Sequence, residues 1–324
     1  MRVASFFAGV GGIDKGFEKA GFDVIWANEF DKYAATTYQK NFKNKLVVDD
    51  IRNVKNKDIP DFDIMIGGFP CQAFSVAGLR KGFDDERGNL FFELERIFKE
   101  KKPQVIFLEN VKNLVGHDNG NTFREILQRL KTEGYHVKKD VLNACEYGNL
   151  PQNRERIYIV AFLNENACKE FEFPDPVELT NKLCNFIDYN NKQDDKYYYT
   201  KDNCGFFDEL KEKVINPDTT YQWRRVYVRE NKSNHCPTLT ANMGTGGHNV
   251  PLICTKTGIR KFTPRECFNI MGYDKDYKLP EDMANTHLYK QAGNSVVVPV
   301  IERIAEEIKG ALERAESHKE KMVV

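Results

Sequence analysis

The chain has 324 residues, of which 41% are hydrophobic and 30% charged, a composition typical of a soluble globular protein. This composition excludes the disordered, collagen-like and coiled-coil classes. Lys and Arg together number 48 and so do Asp and Glu, so any surface that attracts nucleic acid must be local. The longest strongly apolar run, near Val296–Ile301, is too short to span a bilayer, and the N-terminus lacks the features of a signal peptide. We therefore predict a cytoplasmic enzyme without a membrane segment.

Short β-rich runs alternate with longer amphipathic stretches over the first half of the chain. Such alternation predicts an α/β fold, with a doubly wound, mostly parallel sheet and helices on both faces. In such sheets ligands bind beyond the carboxyl ends of the strands. The predicted strands are Val3–Ala8, Asp23–Ala27, Leu46–Val48, Phe62–Ile66, Val105–Leu108, Tyr135–Leu142 and Arg156–Phe162, and the predicted helices are Gly12–Ala20, Asp31–Asn41, Leu90–Lys101 and Thr122–Glu133.

The charge pattern changes in the second half of the chain. Residues 184–218 contain eight acidic residues and five lysines, whereas residues 221–261 contain seven basic residues and a single acid. The basic segment is rich in Gly, Asn and Thr, which favours loops over a helix. We predict a second, smaller, loop- and strand-rich domain over residues 184–265, followed by a C-terminal helix that includes 298–315.

A glycine-rich turn follows the first predicted strand. Residues 7–12 read Phe-Ala-Gly-Val-Gly-Gly, but Asp14 stands where the dinucleotide-binding pattern has its third glycine. Glu29 follows the second strand, where a carboxylate can accept hydrogen bonds from ribose hydroxyls, and Asp50 and Ile51 follow the third. This combination indicates a cofactor that carries a nucleoside without a pyrophosphate. On its own the turn also fits a nicotinamide-dependent oxidoreductase, or simply a tight turn in an α/β core.

A cysteine follows the fourth predicted strand. Residues 67–75 read Gly-Gly-Phe-Pro-Cys-Gln-Ala-Phe-Ser, which places Cys71 at the predicted functional edge. The stretch 72–89 is rich in glycine and basic residues, and an electropositive, partly exposed setting favours a reactive thiol. The eight cysteines include no C-x-x-C pair, so we predict no metal site, and we expect most of the other seven to be small buried hydrophobic residues.

Three further motifs carry polar groups. Glu109 ends a buried strand, where a carboxyl group can act as a general acid, although an N-cap or salt-bridge role explains it equally well. Arg154 and Arg156 alternate in an extended segment and would point the same way, either to clamp a phosphate or base or as a surface salt-bridge pair. Asn294 and Ser295 precede the last helix, where they can cap it or line a pocket.

Together these motifs resemble the DNA (cytosine-5) methyltransferases, in particular the compact bacterial type II modification enzymes. The shared set, in chain order, is Phe-x-Gly-x-Gly-Gly, Pro-Cys-Gln-x-x-Ser, Glu-Asn-Val, Gln-x-Arg-x-Arg and Gly-Asn-Ser-Val. Residues 260–267 also resemble the motif that closes the variable region in this family, with Phe262 where leucine is common. The resemblance covers most of the chain, and residues 184–258 correspond to the variable target-recognition region of the family.

The resemblance implies sequence-specific methylation of cytosine C5 in double-stranded DNA, with S-adenosyl-L-methionine as methyl donor, S-adenosyl-L-homocysteine as product and no metal. It implies a catalytic and cofactor-binding domain over 1–183 and 294–324, a target-recognition domain over 184–265 and a hinge over 266–293. The residues implied as catalytic are Cys71, Glu109, Arg154 and Arg156. The residues implied to bind the cofactor are Phe7, Gly9, Gly11, Gly12, Glu29, Asp50, Ile51, Pro70, Asn294 and Ser295. The residues implied to bind DNA are Gln72, Ser75, Arg80, Lys81, Arg87, Arg224, Arg225, Arg229 and Thr238.

The resemblance also implies base flipping, covalent addition of a thiolate to C6 and a role as the modification half of a restriction–modification system. The enzyme would act as a monomer on a short site, separately from any cognate restriction endonuclease. A tRNA cytosine-5 methyltransferase is an alternative with the same motifs, but the long recognition segment favours DNA. An oxidoreductase or a non-catalytic DNA-binding protein would not need both Cys71 and Glu109.

Overall fold

The computed structural model describes residues 1–70, 90–231, 234–245 and 249–323, with side chains up to residue 318. The strands are β1 (Arg2–Phe6), β2 (Asp23–Glu29), β3 (Lys45–Val48), β4 (Ile64–Gly67), β5 (Val105–Val111), β6 (His136–Asn143), β7 (Gln152–Asn153), β8 (Glu155–Phe162), β9 (Tyr221–Trp223), β10 (Val228–Glu230), β11 (Cys236–Pro237), β12 (Leu252–Thr255) and β13 (Gly258–Lys261). The α-helices are α1 (Gly12–Lys19), α2 (Lys32–Asn41), α3 (Leu90–Lys101), α4 (Asn121–Thr132), α5 (Ala144–Tyr147), α6 (Glu165–Glu170), α7 (Phe207–Lys213), α8 (Pro264–Asn269), α9 (Asn285–Asn294) and α10 (Val298–Val323).

The chain forms two compact units. The first comprises Met1–Leu142, Glu155–Asp175 and Pro299–Val324, and the second comprises Asn143–Arg154 and Pro176–Val298. The predicted domain limits, drawn from the charge pattern and the family resemblance, remain predictions. Within the described residues, no helix is both long enough and apolar enough to cross a bilayer.

A seven-stranded sheet in the order β3-β2-β1-β4-β5-β8-β6 forms the centre of the first unit. The β1–β2, β1–β4, β2–β3 and β4–β5 pairs are parallel and β5–β8 is antiparallel, which confirms the predicted mostly parallel sheet. Because parallel strands share direction, the carboxyl ends of β1 to β5 lie along one edge. The antiparallel strand β8 begins at that same edge, where Arg156 pairs with Val111.

Helix α3 is amphipathic, as the periodicity of its apolar residues predicts. Phe91, Leu94, Ile97 and Phe98 are all buried, and they belong to the large core cluster of the first unit. Their spacing places them on one face of the helix, as the sequence predicted, and burial of each such side chain contributes roughly 1.5–3 kcal/mol. Residues 90–101 therefore form the predicted helix, which ends at Lys101 as predicted.

The second unit contains a four-stranded sheet in the order β10-β9-β12-β13 and a two-stranded sheet of β11 and β7. Its strands are short, and its core includes Tyr221 and Leu252, which pair across β9 and β12. The prediction of a loop- and strand-rich fold for this part of the chain is thus confirmed.

The alternation of residues 225–229 predicts a continuous strand, and this prediction is wrong. The chain reverses there, and Trp223 pairs with Val228 at the end of the β9–β10 hairpin next to the turn. Val226 is 81% exposed, whereas Val228, beyond the turn, packs against the core of the second unit. Alternation predicts a strand only where one face is buried along its length, and the turn leaves Val226 in solvent.

A buried carboxyl group ties the first strand to α2. Asp14 is fully buried, and it accepts hydrogen bonds from Ser5 Oγ at 2.9 Å and from Tyr38 Oη at 2.7 Å. Burial outweighs these hydrogen bonds and raises the pKa of Asp14 from 3.8 to about 6. The residue that interrupts the dinucleotide pattern is therefore a buried part of the core.

We expect Asp14 to make folding less favourable as pH rises from 4 to 7. The folded chain holds this proton up to a pH of about 6, whereas the unfolded chain loses it near 3.8, so the folded state binds more protons in that window. Stability contributed by the neutral carboxyl group is thus lost as pH rises, by about 2 kcal/mol between pH 4.5 and 7. Urea denaturation midpoints at pH 4.5 and 7 measure this dependence. Asp14→Asn should remove it and Asp23→Asn, at an exposed position, should not; equal pH dependence in Asp14→Asn and wild type would contradict it.

Candidate active site

The glycine turn after β1 has a backbone that ordinary side chains rarely adopt. Phe7, Gly9 and Gly11 have φ values of 54°, 58° and 80°. A Cβ on Gly11 would lie 2.2 Å from the Phe42 ring, whereas a Cβ on Gly9 would meet no atom within 4 Å. Gly11 is thus required by packing, while Gly9 leaves open space beside the turn. Strain at Phe7 next to open space is the pattern expected of a ligand-binding turn.

Glu29, at the end of β2, holds this turn in place. Its Oε2 accepts the Gly9 amide and its Oε1 accepts the Asp31 amide, both at 2.7 Å. Burial raises the pKa of Glu29, and the two amide hydrogen bonds oppose that rise. A carboxylate has about four acceptor positions, so Glu29 can still accept a hydrogen bond from a ligand. The next residue, Phe30, is 70% exposed.

The loop after β3 forms the next part of the edge. Asn28 donates to the carbonyls of Val47 at 3.1 Å and Asp49 at 2.8 Å, which fixes the exit of β3. The Asp50 carboxylate accepts hydrogen bonds from the Arg52 side chain, which lowers the pKa of Asp50. Asp50 is therefore ionised, and its Arg52 contacts leave its remaining lone pairs for a ligand.

Arg96 of α3 donates hydrogen bonds to the same loop. Its Nη2 donates to the carbonyls of Ile51 at 3.3 Å and Val54 at 3.0 Å, and its Nη1 donates to Asn56 Oδ1. Ile51 is 2% exposed, so its position depends on the core and on this arginine. Arg96 matches no motif, so this role could not be predicted from the sequence.

Glu109 and Arg156 meet at the end of β5. Their side chains form an ion pair with Oε1 and Nε 3.1 Å apart, and Glu109 is only 8% exposed. The β5–β8 register explains the pair: Arg156 lies opposite Val111, so Glu109 is its diagonal neighbour on the same face of the sheet. A Cβ on Gly68 would lie 3.4 Å from Glu109 Oε2, so the loop after β4 runs directly beside the carboxylate.

The segment that leads to Cys71 is tied to the same strand. Asn110 is 4% exposed and donates to the Phe69 carbonyl at 2.8 Å. Phe69 and Pro70 are therefore held beside the end of β5. The predicted nucleophile follows directly in the chain, but it lies outside the described residues, as do the other predicted site residues of this stretch: Cys71, Gln72, Ser75, Arg80, Lys81 and Arg87.

Arg154 lies in the second unit and has a different environment from Arg156. It is 3% exposed, and its terminal nitrogens donate to the main-chain carbonyls of Leu239, at 2.7 Å, Gly293 and Ser295. These contacts brace the loop before α10 against the segment that contains Leu239. The predicted action of Arg154 on the substrate stays a prediction. The contacts of its terminal nitrogens are hydrogen bonds to main-chain carbonyls of the second unit.

The predicted residues near β11 and α9 differ in exposure. Asn294 is exposed, whereas Ser295 is 8% exposed and its Oγ lies 2.5 Å from Tyr273 Oη. Thr238 donates to the Asn153 carbonyl at 2.6 Å. Among these residues Asn294 is the one whose side chain is open to a ligand.

The predicted DNA-binding arginines of the second unit all lie on the β9–β10 hairpin. Arg224 and Arg225 are in the turn, Arg229 is in β10, and all three are exposed. Of the described cysteines, five are buried, Cys254 is partly exposed and Cys184 is exposed, which agrees with the prediction that most are small buried residues.

Comparison with known proteins identifies this arrangement. A family model described as "C-5 cytosine-specific DNA methylase" matches residues 1–310. The chain belongs to this family. As a DNA (cytosine-5-)-methyltransferase of this family it catalyses a methyl transfer that depends on S-adenosyl-L-methionine, and the resemblance drawn from the five motifs is confirmed.

The relatives span nearly the whole chain. It is 65% identical to the type II methyltransferase M.Bsp6I of Bacillus sp. (strain RFL6), over 95% of this chain and 98% of that protein. It is 39% identical to the type II methyltransferase M.HhaI of Haemophilus parahaemolyticus, over 96% of this chain and 95% of that protein. Among solved structures, the Entamoeba histolytica methyltransferase EhMeth has a TM-score of 0.77 at 21% identity, covering 96% of this chain and 98% of that one, which shows the shared fold.

Proposed function

We propose that this methyltransferase modifies one cytosine of a short specific sequence in double-stranded DNA by flipping the base and adding a cysteine thiolate to it. The observation that supports this most strongly is the buried Glu109–Arg156 pair beside the loop that leads to Cys71. A carboxyl group and a guanidinium that face one spot can hold a polar heterocycle by its ring nitrogen and its carbonyl oxygen. Cys71, which follows Pro70 in the sequence, would supply the nucleophile that the chemistry requires.

The residues at the edge of the sheet fit S-adenosyl-L-methionine. Gly9 leaves open space beside the turn, Glu29 has lone pairs for ribose hydroxyls, and Asp50 has them for an amine. When bound, this cofactor supplies a methyl group on a sulfonium sulfur, and S-adenosyl-L-homocysteine remains. The full proposed set also includes Phe7, Gly11, Gly12, Ile51, Pro70, Asn294 and Ser295, and no metal is required.

The exposed Phe30 adds a residue that the motifs did not reveal. Its ring follows Glu29 directly and is 70% exposed, so it offers a flat apolar face beside the proposed ribose site. We expect Phe30→Ala to weaken cofactor binding about tenfold by removing a stacking partner, and to leave kcat within about twofold. Isothermal titration with S-adenosyl-L-homocysteine measures the first effect. Tyr33→Ala, another exposed aromatic residue nearby in sequence, is the control, and unchanged affinity in Phe30→Ala would contradict this role.

The proposed reaction follows from the electron demand of cytosine. Cys71 adds as a thiolate to C6, which breaks the C5–C6 double bond, while Glu109 donates a hydrogen bond or proton to N3 and Arg156 holds O2. The electron pair released to C5 takes the methyl group from the sulfonium. Loss of the C5 proton then restores the double bond and expels the Cys71 thiolate, so the enzyme is regenerated. Arg154 belongs to the predicted catalytic set, and we propose that it acts through the main chain it braces.

Recognition of the DNA is proposed for the second unit and the basic stretch after Cys71. A base inside a duplex must leave the stack before C6 can be attacked. Arg80, Lys81 and Arg87, with Gln72 and Ser75, would contact the strand around the flipped base. Residues 184–265, including Arg224, Arg225, Arg229 and Thr238, would contact the site itself, and 266–293 would act as a hinge.

The biological setting follows from the same proposal. We infer that the enzyme is the modification half of a restriction–modification system and acts as a monomer in the bacterial cytoplasm, separately from its endonuclease. The relatives named as type II methyltransferases span almost the same length, which supports this assignment.

A mechanism-based trap tests the covalent step. In a duplex with 5-fluorocytosine at the target position, fluorine cannot leave as a cation, so elimination stalls after methyl transfer. We expect a denaturing gel to show an enzyme band that is shifted by the mass of one DNA strand. This band should form only when the cofactor is present. The same duplex with cytosine is the control. Tritium transfer from labelled cofactor to duplex DNA and to tRNA compares the two substrate classes, and transfer to tRNA alone would contradict the proposal.

A further inference from the structure

The loop after β3 receives little support from the sheet. β3 stands at the edge of the seven-stranded order, and of the described strands only β2 pairs with it. All four of its residues are exposed or partly exposed. The loop then forms two short 3₁₀ turns, Ile51–Asn53 and Asn56–Asp58. A segment with one strand neighbour and only single helical turns depends on side-chain contacts for a fixed conformation.

Arg96 of α3 supplies such contacts through four hydrogen bonds. Its Nη2 donates to the carbonyls of Ile51 at 3.3 Å and Val54 at 3.0 Å, and its Nη1 donates to Asn56 Oδ1. Its Nε donates to Glu93 Oε2 at 2.8 Å, so the guanidinium is also fixed to its own helix. The planar fork thus reaches both turns of the loop at once, which the single ammonium group of a lysine cannot do.

The carbonyls that Arg96 binds belong to buried residues. Ile51 is 2% exposed and Val54 is 7% exposed, and both lie in the core cluster that also contains Leu94 and Ile97 of α3. A buried carbonyl that loses its donor keeps the cost of its desolvation without the compensating hydrogen bond. Without the guanidinium, the loop is therefore more stable when it moves its carbonyls toward water than when it keeps its present position.

The loop also carries the residue proposed to meet an amine of the cofactor. Asp50 caps the first turn: its Oδ1 accepts the Arg52 amide at 3.0 Å, and its Oδ2 accepts Arg52 Nη2 at 2.6 Å. Asp50 directly precedes Ile51, so the position of its carboxylate depends on the same main chain that Arg96 holds. Because hydrogen bonds weaken steeply with distance and angle, a displaced acceptor no longer distinguishes an amine from a carbonyl oxygen.

We propose that Arg96 is a positioning residue that sets the base selectivity of the cofactor site through its hold on the main chain of Ile51 and Val54. It acts through Asp50, whose carboxylate accepts the exocyclic amine of adenine and disfavours a carbonyl oxygen at the same place. This inference rests on the proposed function, and it assigns a role to a residue that lies outside all the motifs of the chain.

Two ligands that differ in the base test the proposal. S-adenosyl-L-homocysteine carries the exocyclic amine, and S-inosyl-L-homocysteine carries a carbonyl oxygen there. Isothermal titration measures both affinities, and their ratio is the base selectivity. We expect Arg96→Met to weaken S-adenosyl-L-homocysteine about tenfold and S-inosyl-L-homocysteine within about twofold, so that selectivity falls about fivefold. In methyl transfer to duplex DNA, the loss should lie in the KM for the cofactor rather than in kcat.

Arg129→Met is the matched control. The side chains of Arg96 and Arg129 are both 34% exposed, and both donate to a glutamate of α3. Arg129 lies in α4, where its donors reach Glu95 and Glu125 rather than the loop after β3. Arg129→Met should lower the thermal midpoint but keep the wild-type affinities and selectivity. Arg96→Lys, which keeps the charge and loses the fork, should have a selectivity between those of wild type and Arg96→Met.

The outcomes distinguish this proposal from the proposed function. If the wild type binds S-adenosyl-L-homocysteine and Arg96→Met keeps the wild-type selectivity, the proposal is overturned, even where both affinities fall, because an equal loss is what general destabilisation produces. If the wild type binds neither ligand, the proposed cofactor site itself fails. Thermal midpoints show which variants are folded. Should Arg96→Met not fold, Arg96→Lys decides, and wild-type selectivity in that variant overturns the proposal.

Discussion

Cys71→Ser should abolish methyl transfer, with kcat lowered by a factor on the order of 10³ or more, while duplex binding persists. The thiolate is the nucleophile that turns C5 of cytosine into an enamine carbon. A serine hydroxyl has a far higher pKa and is almost entirely protonated at neutral pH, so it cannot replace the thiolate. Transfer of a labelled methyl group measures turnover, and an electrophoretic mobility shift measures binding.

Cys184→Ser is the matched control for this expectation, because Cys184 is a free, exposed cysteine of the second unit. It should retain wild-type turnover and should still be trapped by the 5-fluorocytosine duplex, whereas Cys71→Ser should not be trapped. Near-normal turnover of Cys71→Ser would remove this residue from the mechanism and leave methyl transfer without its proposed covalent step.

Glu109→Gln should lower kcat by about 10²–10⁴-fold and leave cofactor and duplex affinities close to wild type. The amide keeps the shape of the side chain but cannot donate a carboxyl proton to N3, and it loses the charge that faces Arg156 at 3.1 Å. Because the two side chains form one pair, Arg156→Gln should reduce activity too, and the double variant should lose less than the sum of the two. Single-turnover methyl transfer measures these differences.

Glu95→Gln is the control, because it removes the charge of a different ion pair, Glu95–Arg129. Glu95 lies in α3 and is 6% exposed, and its carboxylate accepts from Arg129 at 2.8 Å. Glu95→Gln should lower the free energy of unfolding and leave kcat unchanged. Activity of Glu109→Gln within about threefold of wild type would show that the carboxyl group takes no part in proton transfer.

The sequence by itself determined the order of elements and the family. The first three motifs each follow a β-rich run, and in a parallel sheet the residues after the strands must gather along one edge, so local patterns were enough to predict a shared site. Helix α3 was predicted correctly because its four buried apolar side chains repeat with the helical period. Glu29 and Glu109 were found for the same reason, as carboxylates that follow apolar strands.

Only the tertiary structure decided which of these groups face each other. Glu109 meets Arg156 because of the β5–β8 register, and Arg154, two residues earlier, braces main-chain carbonyls of the second unit. Register and burial depend on contacts between distant segments, which alternation within a short window does not encode. For the same reason the reversal at Arg225 and the role of Arg96 were visible only in the fold: a strand pattern needs a buried face, and a side chain that holds a distant loop leaves no local signal.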